Sequence, residues 1–180
     1  KIPSLEIDPG LRSLVPKNHK IVKNMELAEE LFSSNEIIIV AVESDELLSE
    51  RTLLKFSSLH DSLENLSSVN RVASIYNHKY IVPDDGGFEI QKLLEKIPSD
   101  SLQSSELIET IHASDIIGNL VSADLNIMCF IAQIIASTDF DEINFREKLY
   151  GIVSGFEGPE KIYLASPIIF SAESIDSVKR

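Results

Sequence analysis

Asn35–Leu53 reads NEIIIVAVESDELLSERTL. Ile37 to Val42 is an unbroken apolar and mostly β-branched run, which predicts a central strand covered on both faces. Ser49 and Glu50 then mark a helix start: the serine can accept a backbone N–H at the N-cap, and the glutamate places negative charge in the first turn. Leu53, Phe56, Leu59, Leu63 and Leu66 form one apolar stripe of that helix, which should end by Ser67. Val69 to Ile75 reads as a second strand, completing a βαβ unit whose crossover is right-handed if its strands are parallel.

The joint between the first strand and its helix, ESDELLSE, contains no glycine. Its backbone therefore lacks the close approach that a pyrophosphate requires, and its charge repels one. There is no G-x-S-x-G elbow either, so Ser44 and Ser49 are expected to serve as turn and cap residues, not nucleophiles.

On the N-terminal side, Ile2 to Pro16 holds three prolines and a glycine and reads as an extended lead-in spanning residues 1–17. Ile21, Met25, Ala28 and Leu31 then give the stripe of an amphipathic helix from Asn18 to about Phe32. On the C-terminal side, residues 83–116 break the rhythm and are expected to be an insertion. It opens with PDDGG and should hold two short helical stretches, near Ile90–Leu94 and Ser105–Ala113. IIGNLVSADLNIMCFIAQII follows with turn residues Ser122 to Asn126 between two apolar arms, the pattern of a hairpin.

Asp139 and Glu142 form a candidate capping box. Phe145, Leu149, Ile152 and Phe156 are the next helical stripe, closed by Gly158 and Pro159. Lys161–Ala165 is a last strand, and residues 166–180 a tail. The order βαβ, insertion, β-hairpin, αβ predicts one α+β domain over 1–180: a ferredoxin-like split βαβ sandwich, two helices on a mainly antiparallel sheet, with a helical insertion and an N-terminal helix.

The chain of 180 residues carries a net charge of −13, which argues against nucleic acid as a partner. Its basic residues are too sparse for an anionic membrane surface. The longest apolar run, Ile127 to Ala136, is about half of the ~20 residues that span a bilayer and is interrupted by Gln133, so the piece is expected to be water-soluble. The single cysteine, Cys129, lies in an apolar strand and is expected to be a small core hydrophobe; it leaves no internal disulfide. Neither an initiator methionine nor a signal-peptide pattern is present, which reads as a piece cut from a longer chain or as a processed one.

His19, His60, His78 and His112 show no ligand spacing and are expected at surface or boundary positions. Asp84–Gly87 offers carboxylates around a tight turn but lacks the alternating ligands of a calcium loop, so a plain turn is expected and no metal or cofactor is implied. Asn65-Leu66-Ser67 fits the N-glycosylation triplet, a pattern common by chance.

Taken together, EIIIVAVESDELLSERTL, SSVNRVASI, IIGNLVSADLNIMCFIAQI and LASPII resemble the extracytoplasmic porter domain of RND-superfamily permeases. The MMPL-type and related predicted hydrophobe exporters of bacteria and archaea are the nearest in pattern. The likeness spans nearly the whole chain, including Asp8, Arg12 and Pro16 in the lead-in. It departs at Phe32-Ser33-Ser34, at Ser67-Ser68 and at Ser166, where the family commonly has glycine.

The resemblance implies a periplasmic or extracellular domain on the cell membrane of a bacterium or archaeon. Such a domain forms part of an export path for lipids or other hydrophobic compounds and catalyses no covalent chemistry. Its partners would be the membrane helices and second porter domain of the same permease, and it admits a homo-oligomer. Lys1 and Arg180 would then lie at one end of the fold. Phe88, Ile90, Leu93 and Leu94 in the insertion are the candidate substrate-facing residues; their alternative role is to staple the insertion to the core. The rival readings are a ferredoxin-like regulatory module binding a small ligand between helices and sheet, and a hydrolase holding a metal at Asp84 and Asp85.

Overall fold

A computed structural model describes residues 35–84, 86–135 and 140–166. These residues form β1 (Asn35–Glu43), α1 (Glu50–Glu64), β2 (Val69–Ala73), β3 (Lys79–Asp84), β4 (Gly87–Lys92), α2 (Ser101–Ala113), β5 (Ile127–Ile135), α3 (Glu142–Ser154) and β6 (Lys161–Ala165). The lead-in, the expected helix of Asn18–Phe32, the tail after Ser166 and the positions of Lys1 and Arg180 lie outside the described residues.

The main sheet has the order β2-β5-β1-β6, and β3 pairs with β4 in a separate two-stranded sheet. Within the main sheet, β1 is antiparallel to both β5 and β6, and β5 is antiparallel to β2. Two βαβ units therefore interleave. The first, β1-α1-β2, has β5 between its strands, and the second, β5-α3-β6, has β1 between its strands. The fold is α+β, with a mainly antiparallel four-stranded sheet and a split βαβ arrangement.

The joint after β1 folds as its residue types require. Ser44 Oγ accepts from the Glu46 N–H at 3.2 Å, and Ser49 Oγ accepts from the Thr52 N–H at 3.3 Å as the N-cap of α1. Leu47, between them, is buried and pins the turn to the core. Leu53, Phe56, Leu59 and Leu63 are fully shielded from solvent against the same face of the sheet that presents Ile38, Val40, Phe130 and Ile134. Phe145, Leu149 and Val153 of α3 close the remainder of the core, and Phe156, just after the helix, stacks on Phe56 at 6.4 Å.

Several expectations need correction. The β1 run is central but covered on one face only, since Ile37 and Ile39 are 48% and 37% exposed. A β-branched run reports strand preference; whether a second layer exists depends on where the connections return. Ile90 to Leu94 is not helical: Ile90 belongs to β4, because Phe88-Glu89-Ile90-Gln91 alternates with period two after the PDDGG turn. α2 is present but begins at Ser101, with Asp100 as its N-cap.

The first arm of the expected hairpin, Ile116 to Val121, makes only isolated bridges. There the Ile116 carbonyl accepts from three successive N–H groups, Asn119 to Val121, and Gly118 takes φ +80°, so the arm coils into a tight turn. α3 is capped by Asp141, whose carboxylate accepts from the Asn144 N–H at 3.0 Å; Asp139 lies outside the described residues. The helix stops at the Gly155 C-cap, before Gly158 and Pro159.

Gly158 has a different task. A Cβ there would meet Lys55 Nζ at 2.7 Å and Glu160 Oε2 at 2.8 Å. The missing side chain leaves room for the Lys55–Glu160 ion pair, 2.6 Å long, which ties α1 to the segment entering β6.

Candidate functional site

The four candidate substrate-facing residues fall into two groups. Leu93 and Leu94 are buried and hold the base of the β3–β4 hairpin to the core, with the Leu93 N–H donating to the His78 carbonyl at 2.9 Å. Phe88 and Ile90 are 81% and 68% exposed. The hairpin register places Ile81 opposite Ile90 and Pro83 opposite Phe88, and alternation puts all four on one face. With Ile81 also exposed, the hairpin presents an apolar face to its surroundings. Lys79 and Lys92, paired at the base, sit on that same face. Ile81 precedes the expected insertion and Pro83 opens it; with no strand expected on either side, only the hairpin register shows that they share a face with Phe88 and Ile90.

The turn Asp84–Gly87 closes this hairpin as a register pair, the plain turn its sequence implies. Asp85 lies outside the described residues. Among the described residues, no group of three or more His, Cys, Asp or Glu side chains is placed to hold a metal ion.

At the base of the hairpin is a cleft of about 510 Å³, lined by Arg71, Ser74, Asn77, His78 and Lys79 among others. It gathers cationic groups on an otherwise acidic chain. Asn77 and Ser74 are committed to the loop itself: Asn77 Oδ1 accepts from the Ser74 N–H at 3.1 Å, and its Nδ2 donates to the Val72 carbonyl at 2.6 Å. His78 Nε2 lies 3.5 Å from Asp115 Oδ1 and makes no hydrogen bond. Asp115 therefore already offers that imidazole a counter-charge.

His60 corrects the expectation of a surface or boundary histidine: it is buried, 6% exposed. Its Nδ1 meets Ser74 Oγ at 3.0 Å, and its Nε2 lies 3.4 Å from Glu64 Oε1. A serine, a histidine and a glutamate in line have the composition of a nucleophile relay. Two facts give it a structural role. Ser74 is 1% exposed, which leaves no approach for a substrate, and its oxygen accepts the Tyr76 N–H at 3.2 Å. The Tyr76 ring packs between His60 and Phe130, its hydroxyl donates to the Leu53 carbonyl at 2.8 Å, and burial pushes its pKa up. The relay locks the loop after β2 to α1. Sequence spacing could not reveal it, because α1 and the β2 loop meet only through the tertiary fold.

Cys129 is half-buried on the sheet face away from the helices, and burial raises its thiol pKa. On the same face, Glu43 accepts from Lys161 Nζ and from the Tyr163 hydroxyl, each at 2.7 Å. The lysine hydrogen bond, then that of the tyrosine, holds the Glu43 carboxyl below the usual carboxylate range.

The space between helices and sheet, where a regulatory ligand would have to sit, is filled by side chains with no solvent contact, including Val40, Phe56, Leu59, Leu63 and Phe130. No described helix is long and apolar enough to cross a membrane. The fold and its exposed hairpin define an α+β domain with a projecting apolar surface. Comparison of the sequence with known protein families matched none, and no curated protein matched it.

Proposed function

We propose that this chain is a ferredoxin-like extracytoplasmic porter domain of an RND-type exporter, and that the β3–β4 hairpin face meets hydrophobic cargo along the export path. The observation that carries the reading is the exposed face of Ile81, Phe88 and Ile90, held out from a closed core where water would otherwise disfavour it. The interleaved βαβ halves support it, as does the ordered resemblance of EIIIVAVESDELLSERTL, IIGNLVSADLNIMCFIAQI and LASPII to porter domains. The domain then works by presenting surface and by moving with its permease, on the outer side of a bacterial or archaeal membrane. Its partners are the permease's membrane helices and second porter domain.

The parent gene tests the placement: apolar stretches of ~20 residues should precede Lys1 and follow Arg180. A parent without them overturns the reading. The cargo role is tested by Phe88→Ser with Ile90→Ser in the full-length permease. Because both side chains are exposed, unfolding free energy should stay within about 0.5 kcal/mol of the parent. Export of a lipid cargo from cells should fall several-fold, and unchanged export would remove the hairpin from the path.

A further inference from the structure

The apolar face of the β3–β4 hairpin ends in charge. Three register pairs share that face: Pro83 with Phe88 next to the turn, Ile81 with Ile90 beyond them, and Lys79 with Lys92 at the base. Two ammonium groups directly opposite each other repel, and among the described residues no carboxylate forms an ion pair with either. The reverse face is sorted differently. There Tyr80 packs against the core, its hydroxyl donates to Gln91 Oε1 at 3.2 Å, and Gln91 Nε2 donates to the Glu89 carboxylate at 2.9 Å. Glu89 is therefore engaged on the face away from the lysines.

Lys79 also lines the cleft of about 510 Å³ at the hairpin base. Arg71 lines the same cleft from β2, the edge strand of the main sheet, and the lining holds no carboxylate. Asp115, 3.5 Å from His78 Nε2, faces the imidazole and forms no ion pair with Arg71 or Lys79. On a chain with a net charge of −13, three cations without partners thus gather at one end of an exposed apolar face.

An amphiphile answers both halves of this surface. A hydrocarbon chain can cover the Ile81, Pro83, Phe88 and Ile90 face, which runs about 13 Å from the lysine pair to the pair beside the turn. A neutral headgroup would leave the lysine repulsion in place and a cationic one would add to it. A phosphate relieves it, and the planar Arg71 guanidinium suits two phosphate oxygens at once. An extended bilayer surface is a poorer occupant, because three cations are too few to hold one. We infer that the hairpin face and the cleft at its base bind a single anionic amphiphile, its phosphate at Lys79, Lys92 and Arg71 and its acyl chain on Ile81, Phe88 and Ile90, an assignment that rests on the hairpin's reading as a cargo surface and names the class of cargo.

Titration of the full chain with dodecyl phosphate, neutral dodecyl maltoside and inorganic phosphate, each amphiphile kept below its micelle concentration, tests this. Dodecyl phosphate should bind about thirtyfold more tightly than the maltoside, a factor of about three for each of the three exposed cation contacts, and added salt should narrow the gap. Lys79→Gln with Lys92→Gln should weaken dodecyl phosphate about tenfold and leave the maltoside unchanged. Phe88→Ser with Ile90→Ser should weaken both amphiphiles. Equal binding of the two amphiphiles, or no effect of the lysine substitutions, overturns the anionic class while the cargo surface stands. Binding of neither amphiphile overturns both. Inorganic phosphate bound as tightly as dodecyl phosphate overturns the amphiphile and leaves a cleft for free anions.

Discussion

Phe130→Ala should lower the unfolding free energy by about 3–5 kcal/mol, read as a fall in the denaturant midpoint at unchanged slope. Phe130 has no solvent exposure, lies opposite Val40 in the β1–β5 register and stacks on Tyr76 at 6.1 Å. Truncation removes the ring's transfer energy and leaves a cavity where both βαβ units meet. Strands on either side and helices above prevent collapse, because each is held by its own ladder or stripe. A loss under about 1 kcal/mol would mean that this site can repack and that the two units are not joined through it.

Lys55→Met should cost about 2–3 kcal/mol at neutral pH. The Glu160 side chain is only 5% exposed, and the substitution leaves its charge without the 2.6 Å ammonium. The quarter exposure of Lys55 trims the loss below that of a fully buried pair, since solvent screens part of the interaction. The pH dependence follows from the same bond. The hydrogen bond from Lys55 holds the Glu160 carboxyl below its ordinary value of 4.5. A carboxyl lowered on folding contributes stability that is fully present above its unfolded value and is lost as pH falls through the lowered folded value. The gap between parent and variant should therefore be widest near neutrality and should narrow below about pH 4.5. A gap that is constant with pH would show that the lost methylene packing, and not the charge, carries the effect.

Ser74→Ala completes this series at about 1–2 kcal/mol, because it leaves His60 Nδ1 and the Tyr76 N–H without their shared buried partner. The loss is measured by thermal unfolding. Ser74→Thr, which keeps the hydroxyl, separates the hydrogen bonds from the volume of the site.

Much of the described fold was legible in local patterns. The β1 run, the Ser49 cap, the Leu53, Phe56, Leu59 and Leu63 stripe of α1 and the limits of β6 all follow from rules that act within a few residues: β-branching, capping and a 3.6-residue period. The candidate site was legible only in part. Phe88 and Ile90 stand out as apolar, but their helical spacing with Leu93 and Leu94 is a coincidence of strand β4 ending at Lys92 and a loop following it.

By itself, the sequence determined β1, α1, β2, α3 and β6, because those preferences are local; the β3–β4 hairpin and the turn of Ile116–Val121 followed from pairing instead. The tertiary structure alone decided the rest. It placed β5 between β1 and β2, left one face of a β-branched strand open and buried His60 against Ser74. It also divided Phe88 and Ile90 from Leu93 and Leu94. Each of these depends on which distant segments come together, and burial, unlike propensity, is a property of the partners and not of the residue.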